Sequence, residues 1–403
     1  MDVKSEEGVP YRGLNAKVRL FETIRGPNGN TGILSGRNLP MDRRSFLKTS
    51  ALGGTAAAAT TLAAPAYAQG KRTLTMVTTW PRGLAGVWDS VERVVQNVSD
   101  ITDGQITIDP KGAGELVGAF EVFDAVTSGQ ADMYHGADYY FTGQHPGFAY
   151  FTAVPFGMTA PEMMTWYYGQ DGKALHHELG EVFGIKSFIA GQTGAQGGGW
   201  FRKEMKSAAD FNGLKFRMPG LGGQALSKLG ASVQVLPGGE IYQALSTGAL
   251  DGTEWIGPWS DEKLGLQEVC DYYYPAGFHE PGAALSVATN LDVFEGLTPA
   301  QQRAIEVSCA DAHQQNYALF IANNGPALQR LKSGGAQVLE FSDDIWDAFG
   351  KASVEVLNEF TSDDLFKKIH DSAQKSMRES GEWLAVSDSK YASERNRVLA
   401  TME

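Results

Sequence analysis

The stretch LPGGEIYQALSTGALDGTEW, residues 236–255, decides the reading of the fold. Pro237-Gly238-Gly239 opens an apolar spacing at Ile241, Ala244 and Leu245 that predicts a helix, Gly248 closes it, and a short strand near Thr253 stops at Glu254-Trp255. Its middle, ALSTGALD (244–251), has the form A-[VL]-[ST]-[ST]-G-x-[AL]-D, and AVTSGQAD (125–132) repeats that form. Each copy reads as a helix end, a glycine cap and a strand start. Two long segments built on the same unit predict two similar α/β lobes with a cleft between them, where ligands bind beyond the carboxyl ends of strands.

Upstream, GAQGGGWFRKEMKSAADFNGLKFRMPG (194–220) supplies two more strand ends. An amide (Gln196), a guanidinium (Arg217) and a carboxylate (Glu254) therefore fall at the ends of successive predicted strands. A carboxylic-acid ligand uses all three: the arginine fork matches a carboxylate, and amide and carboxylate oxygens suit a hard cation on the ligand's other side. With no thiolate or imidazole cluster in the pattern, the cation expected is Na⁺ or Ca²⁺. The bland readings stand beside these. Arg217 also reads as a surface arginine, Gln196 as a turn cap, Glu254 as a solvated carboxylate, and Tyr139-Tyr140 as packing aromatics. Trp80, just past the first strand, has the same standing as the tyrosines.

Residues 73–79, 105–108 and 131–134 read as strands, and 84–98 and 117–128 as helices, giving β-α-β-α-β and a mostly parallel sheet. The second lobe reads from about residue 184, with strands at 184–192, 214–216, 233–235 and near Thr253. A strand at 284–288 leads back to the first lobe, and helices follow at 299–331 (capped by Thr298), 343–376 and 383–399. The boundaries expected are 69–183 for lobe I, 184–283 for lobe II, and 284–403 for the return strand, the bracing helices and a C-terminal helix. These last helices carry no chemistry; bracing, hinging and contact with a second subunit all remain open.

Of the chain's 34 Lys/Arg and 47 Asp/Glu, residues 1–68 hold 9 and 5, so the remainder holds 25 and 42, a net charge near -17. That field argues against nucleic acid or anionic lipid as a partner, and an anionic ligand needs a local cation. Residues 41–68 read as a twin-arginine signal peptide: Arg43-Arg44 with Phe46-Leu47-Lys48, a weakly apolar run at 51–64, and the cleavage site Ala66-Tyr67-Ala68. The run is too short and too rich in Ala, Gly and Thr for a membrane anchor. Residues 1–40 read as a start assigned too early, with Met41 the true one, or as a disordered extension. The expected location is the periplasm. Cys270 and Cys309 leave one disulfide or two free thiols open.

These motifs together carry a family likeness. The twin-arginine leader, GAQGGGWFRKE, GLKFRMPG, GGEIYQAL, DGTEWIGPWSDEKLGL and YYYPAGF resemble the periplasmic solute-binding proteins of tripartite ATP-independent periplasmic (TRAP) transporters, most of all the α-keto acid-binding branch. The resemblance spans nearly all of the chain after the leader. It implies the two-lobed α/β periplasmic binding protein fold with long bracing helices, hinge closure on the ligand, and delivery to a TRAP membrane permease. It implies that Arg217 binds the ligand carboxylate, that Gln196, Glu254 and the backbone carbonyl of Trp255 hold the cation, that Tyr139 and Tyr140 contact the ligand, and that Glu280 reaches ligand and cation. Phe278-His279-Glu280-Pro281 stands where the family carries more tryptophan, so the pocket differs there. The keto-acid branch also dimerises through a swapped C-terminal helix, a role open to residues 383–399.

The expected ligand is a small 2-oxo monocarboxylate such as pyruvate or 2-oxobutyrate. The alternatives are a 2-hydroxy acid such as lactate with calcium, a ligand-presenting module for a sensor, and a secreted enzyme. Against the enzyme, the chain has no G-x-S-x-G, H-E-x-x-H or P-loop, and only His176-His177 are adjacent among its seven histidines; a hydrolytic carboxylate pair stays open.

Overall fold

The structure, a computed structural model, describes residues 70–402. The expected leader (41–68) and the residues before it (1–40) lie outside the described residues. The first sheet has the order β2-β1-β3-β10-β4, from β1 (Arg72–Thr78), β2 (Ile106–Lys111), β3 (Met133–Gly136), β4 (Ile185–Gln192) and β10 (Ala284–Asn290). The expected β-α-β-α-β unit is present: β1 pairs in parallel with β2 and β3. Its helices are α1 (Val87–Ile101) and α2 (Val122–Thr127). In α1 the residues Val87, Val91, Val94 and Val98 are buried, a helical spacing that turns one apolar stripe onto the sheet. Helix α2 is shorter than the predicted 117–128, because the Glu121 carboxylate accepts from the Gly118 amide at 2.8 Å and holds the approach as a turn.

One strand departs from expectation. Ile185–Gln192, read as the opening of the second lobe, pairs along its length with β10 in the first sheet. Strand β10 runs antiparallel to both β3 and β4 and so joins them. Both are buried on both faces, so their continuous apolar runs do not reveal which sheet they enter.

The second sheet has the order β11-β9-β5-β8-β6-β7, from β5 (Gly199–Phe201), β6 (Lys215–Arg217), β7 (Ser232–Gln234), β8 (Gly252–Thr253), β9 (Tyr272–Tyr274) and β11 (Gln337–Val338). Aromatic rings fill its core, with Phe201 stacked on Phe216 at 5.0 Å, Trp200 on Tyr273 at 4.6 Å and Tyr274 on Phe341 at 4.2 Å between centroids. Gly199 sits at φ 124°, and a Cβ there would lie 2.7 Å from the Thr253 carbonyl, so only glycine lets β5 and β8 close up. The remaining helices in order are α3 (Ala160–Met164), α4 (Gly172–Val182), α5 (Gly220–Lys228), α6 (Gly238–Ser246), α7 (Pro258–Leu264), α8 (Leu291–Glu295), α9 (Pro299–Ser333), α10 (Asp343–Glu359), α11 (Asp364–Val386) and α12 (Asp388–Leu399).

Two chain segments cross between the sheets side by side. The Thr193 amide donates to Ala283 at 3.0 Å, Gln196 to Glu280 at 2.9 Å, and Gly277 to Gln196 at 3.0 Å. Helix α9, 35 residues long and hence about 50 Å, braces both lobes. It packs on β4, α1 and α7. Asn316 donates to Gly86 at 2.7 Å and accepts from Gln192 at 3.0 Å, while Asn324 accepts from the Trp259 amide at 3.1 Å. Its start is the predicted one: Thr298 accepts from the Gln301 amide at 3.3 Å, and Gln301 returns the bond at 3.0 Å.

The helix predicted over 343–376 is two helices, α10 and α11, because Asp363 accepts from the Phe366 amide at 2.7 Å and starts a new one. Helix α12 buries no residue, and Trp383, Val386 and Tyr391 are exposed around it. Cys270 and Cys309 are both free and buried, which closes the disulfide question. Among the described residues no helix is long and apolar enough to cross a membrane.

Candidate functional site

The site starts from strand pairing. Strands β6 and β8 run parallel with Arg217 opposite Thr253, so Arg217 and the next residue, Glu254, meet at the carboxyl end of the sheet. The Glu254 amide donates to the Arg217 carbonyl at 3.2 Å, and the Arg217 Nη1 donates to the Glu254 Oε1. Both side chains are fully buried. The guanidinium also donates from Nε to the Leu236 carbonyl at 3.0 Å and from Nη2 to the Tyr140 hydroxyl at 3.3 Å. Its carbon lies 5.2 Å from the Trp255 ring centroid, a cation–π contact. Burial alone would lower the arginine's pKa; Glu254 and the two tyrosines outweigh it and hold the group above its usual value. Trp255 packs so closely on the start of α6 that a Cβ at Gly238 would come 2.4 Å from its ring, and its indole donates to Ser260 at 2.9 Å.

The opposite wall comes from the first lobe. Tyr139 and Tyr140 sit on a 3₁₀ turn, Asp138–Phe141, just past β3. A buried network fixes that turn: Asp138 accepts from Tyr134 at 3.0 Å, from Ser286 at 2.7 Å and from His176 Nε2 at 2.9 Å. Trp80 follows β1 and faces Trp255 edge-on at 6.3 Å. Its indole donates to His135 Nδ1 at 2.9 Å, so the ring proton is on Nε2, which bonds Ser90 at 2.9 Å, and Ser90 donates to the Ala190 carbonyl at 2.7 Å. Burial pushes the His135 pKa down to about 3, so this chain holds a neutral imidazole across the usable pH range.

Between the walls stands a group of polar atoms without partners. Gln196 Oε1, Glu254 Oε2, Glu280 Oε2 and both ring nitrogens of His279 are buried and make no hydrogen bond among the described residues. Donor atoms of Glu254, His279 and Glu280 lie within 4.8 Å of one another. His279 Nε2 is 3.4 Å from Glu254 Oε2 but out of hydrogen-bond alignment. Burial, and then the neighbouring Glu254, hold the Glu280 carboxyl well above the usual carboxylate range, against the pull of Arg217. Orphaned buried polar atoms each cost about 1–3 kcal/mol, so a cluster of them marks a place where something else binds. The two carboxylates of this group suit a cation, the buried Gln196 amide oxygen belongs to the segment hydrogen-bonded to Glu280, and Arg217 stands beside Glu254 for an anion.

The structure therefore brings Arg217, Gln196, Glu254, Trp255, Glu280, Tyr139 and Tyr140 to one cleft, and Trp80 with them. A cavity of about 270 Å³ opens beside the tyrosines, lined by Met218, Gly220, Val233 and Val235. A larger one, about 450 Å³, lies apart from this chemistry between α4 and α9, and its Lys173 is already paired with Glu306. The sequence places His279 at the pocket wall but not among the donors, since no ligand spacing links it to Glu254; the available signal is its adjacency to Glu280.

Three comparisons bear on this geometry. The family described as bacterial extracellular solute-binding protein, family 7 (DctP) matches residues 86–364. The monocarboxylate 2-oxoacid-binding periplasmic protein of Nostoc sp. is 41% identical over 317 residues, 78% of this chain and 87% of that one. A TRAP transporter solute-binding protein from Bordetella bronchiseptica, a mixed-occupancy dimer with calcium and picolinate bound, superposes with TM-score 0.81 at 34% identity, covering 83% of this chain and 100% of that one. One from Pseudoalteromonas atlantica, with bound sodium and pyruvate, gives TM-score 0.78 at 34% identity over 80% of this chain and 99% of that one.

Proposed function

The chain belongs to the family-7 bacterial extracellular solute-binding proteins, the periplasmic binding subunits of TRAP transporters, and from that premise we propose that its cleft captures a small 2-oxo monocarboxylate together with a cation. Proteins of this family bind solutes for transport and are not enzymes; they deliver their ligand to a membrane permease. The observation that carries the ligand reading is the set of three orphaned acceptor oxygens, on Gln196, Glu254 and Glu280, beside a buried arginine. In the proposal those oxygens and the Trp255 carbonyl hold Na⁺ or Ca²⁺, a carboxylate and its adjacent oxo group chelate the same ion, and Arg217 takes the carboxylate's free oxygen. Tyr139, Tyr140 and Trp80 close the first-lobe side. The relatives' ligands, 2-oxoacids, picolinate and pyruvate with calcium or sodium, support this chemistry.

Charge balance separates the two ions. Arg217 and Glu254 cancel, and Glu280 is held toward its protonated form. Buried charge must be neutralised. Na⁺ with a monocarboxylate leaves the site neutral if Glu280 keeps its proton, whereas Ca²⁺ does so only if Glu280 releases it.

Export by the twin-arginine route and pairing of two copies through the C-terminal helices are parts of the same proposal. The first rests on Arg43-Arg44. The second rests on the exposed Trp383, Val386 and Tyr391. Replacing both arginines with lysine is expected to block export, and export unchanged by it would remove the first. Sedimentation velocity is expected to give a dimer at micromolar concentration, and a monomer would remove the second.

The test of the site is a thermal-shift screen of protein stripped of ligand by unfolding and refolding. Pyruvate, 2-oxobutyrate and lactate are offered with and without Na⁺ and Ca²⁺. A ligand at a hundredfold excess over its Kd adds about 2.7 kcal/mol. Arg217→Lys keeps the charge but loses the fork and is expected to weaken the response at least about tenfold in Kd. Arg217→Ala strands Glu254 and is expected to cost the ligand-free protein about 3–5 kcal/mol. An unchanged Kd in Arg217→Lys would remove Arg217 from the site, and a response to lactate alone would move the assignment to 2-hydroxy acids. Calorimetry in buffers of different ionisation enthalpy is expected to find about one proton released when Ca²⁺ and pyruvate bind, and about none with Na⁺. The reverse pattern would overturn the role given to Glu280.

A further inference from the structure

His279 is a buried polar group at this cleft that the reading above leaves unused. Its ring is 2% exposed, and neither nitrogen has a hydrogen-bond partner among the described residues. The backbone packs tightly around it: a Cβ at Gly222 would lie 2.5 Å from the His279 Cβ, and one at Gly277 would lie 2.6 Å from its Cε1. Phe278 covers it edge-on at 5.7 Å. The imidazole is thus held in place before anything binds, with Nε2 toward the carboxylates.

The distances are those of a shared ion. Donors ~2.1–2.4 Å from an octahedral cation stand ~3.0–3.4 Å apart when adjacent and ~4.2–4.8 Å apart when opposite. His279 Nε2 and Glu254 Oε2 are 3.4 Å apart. The wider set with Glu280 spans no more than 4.8 Å. Hard cations such as Na⁺ and Ca²⁺ take oxygen ligands, whereas imidazole suits borderline divalent ions, which a 2-oxo acid also chelates through its carboxylate and oxo oxygens.

We propose that His279 Nε2 is a direct ligand of the cation in this cleft, and that the site therefore binds a borderline divalent ion of the Mn²⁺ or Co²⁺ class more tightly than Ca²⁺. This rests on the ion-and-carboxylate reading of the cleft and extends it from oxygen ligands to a mixed nitrogen and oxygen set. Glu254, Glu280 and the Gln196 amide remain ligands, so Ca²⁺ still binds when the imidazole is removed.

The test uses purified, untagged protein, stripped by unfolding in chelator and refolded, with Co²⁺ as the probe. Co²⁺ and Ca²⁺ are titrated calorimetrically with and without pyruvate, and the visible absorption of bound Co²⁺ is recorded. The same is done for His279→Gln and His279→Asn, with melting temperatures of the metal-free proteins as the folding control. The wild type is expected to bind Co²⁺ at least about tenfold more tightly than Ca²⁺, and the variants to lose about 10–100-fold for Co²⁺ with a changed absorption spectrum. Their Ca²⁺ affinity is expected to fall by less than their Co²⁺ affinity, because the replacing amide oxygen suits the harder ion. No preference for Co²⁺ in the wild type, an unchanged spectrum in folded variants, or equal losses for both ions would overturn the proposal. Co²⁺ titration without pyruvate decides the role of His279 by itself, so pyruvate failing to bind with any cation would remove the ligand reading and not this one.

Discussion

Burying a guanidinium against a carboxylate is tolerable only when each charge is matched and each remaining proton or lone pair has a partner. Arg217 and Glu254 meet half of that condition. The arginine's Nε and Nη1 donate to the Leu236 carbonyl and to Glu254, one Nη2 proton goes to Tyr140 and the other is left for an anion, and Trp255 covers its face. Glu254 has one oxygen engaged and one with nothing to accept from. The pair is forced together by parallel strands whose ends fall at the same level, so the protein holds an arginine ready for an anion and leaves a carboxylate oxygen ready for a cation. Much of the surrounding architecture keeps that imbalance in place: glycines that let β5 and β8 approach, a glycine that admits Trp255, and an aspartate that fixes the tyrosine turn.

The two crossing segments give this imbalance a mechanical consequence. Gln196 and Glu280 are hydrogen-bonded neighbours on the segments that run between the sheets, so anything that pulls their side chains together acts on the connection between lobes. Trp80 is fixed to the first lobe through His135 and Ser90, and Trp255 to the second through Ser260, and their rings meet edge to face. A ligand and ion held between these walls gain from both lobes at once, which is what couples capture to closure in a hinged binding protein.

How much of this the sequence disclosed varied with the physics behind each signal. Arg217 and Glu254 were legible because strand ends are marked by glycine caps and because charged residues at such ends stand out against apolar strands. Gln196 was legible as a third strand end, but Glu280 only through the family likeness; no spacing reveals that residues 84 positions apart hydrogen-bond across two connecting segments. Strand β4 was found but given to the wrong sheet, since a strand buried on both faces reads the same in either. The helix over 343–376 was read as continuous because Asp363, which caps a new helix, looks within the pattern like one more polar residue. His279 was not read as a donor because an imidazole that meets carboxylates through folding shows none of the sequence spacing that local metal motifs have.

The central claim is that ligand and cation complete one buried site and so bind as a unit. It is tested most directly by measuring, on stripped and refolded protein, the Kd of pyruvate at rising cation concentration and the Kd of the cation at rising pyruvate. Linkage requires the two to tighten by the same factor, and the shared site predicts a factor of about ten or more, about 1.4 kcal/mol of coupling. Pyruvate binding with the same affinity in the presence and absence of every cation would contradict it.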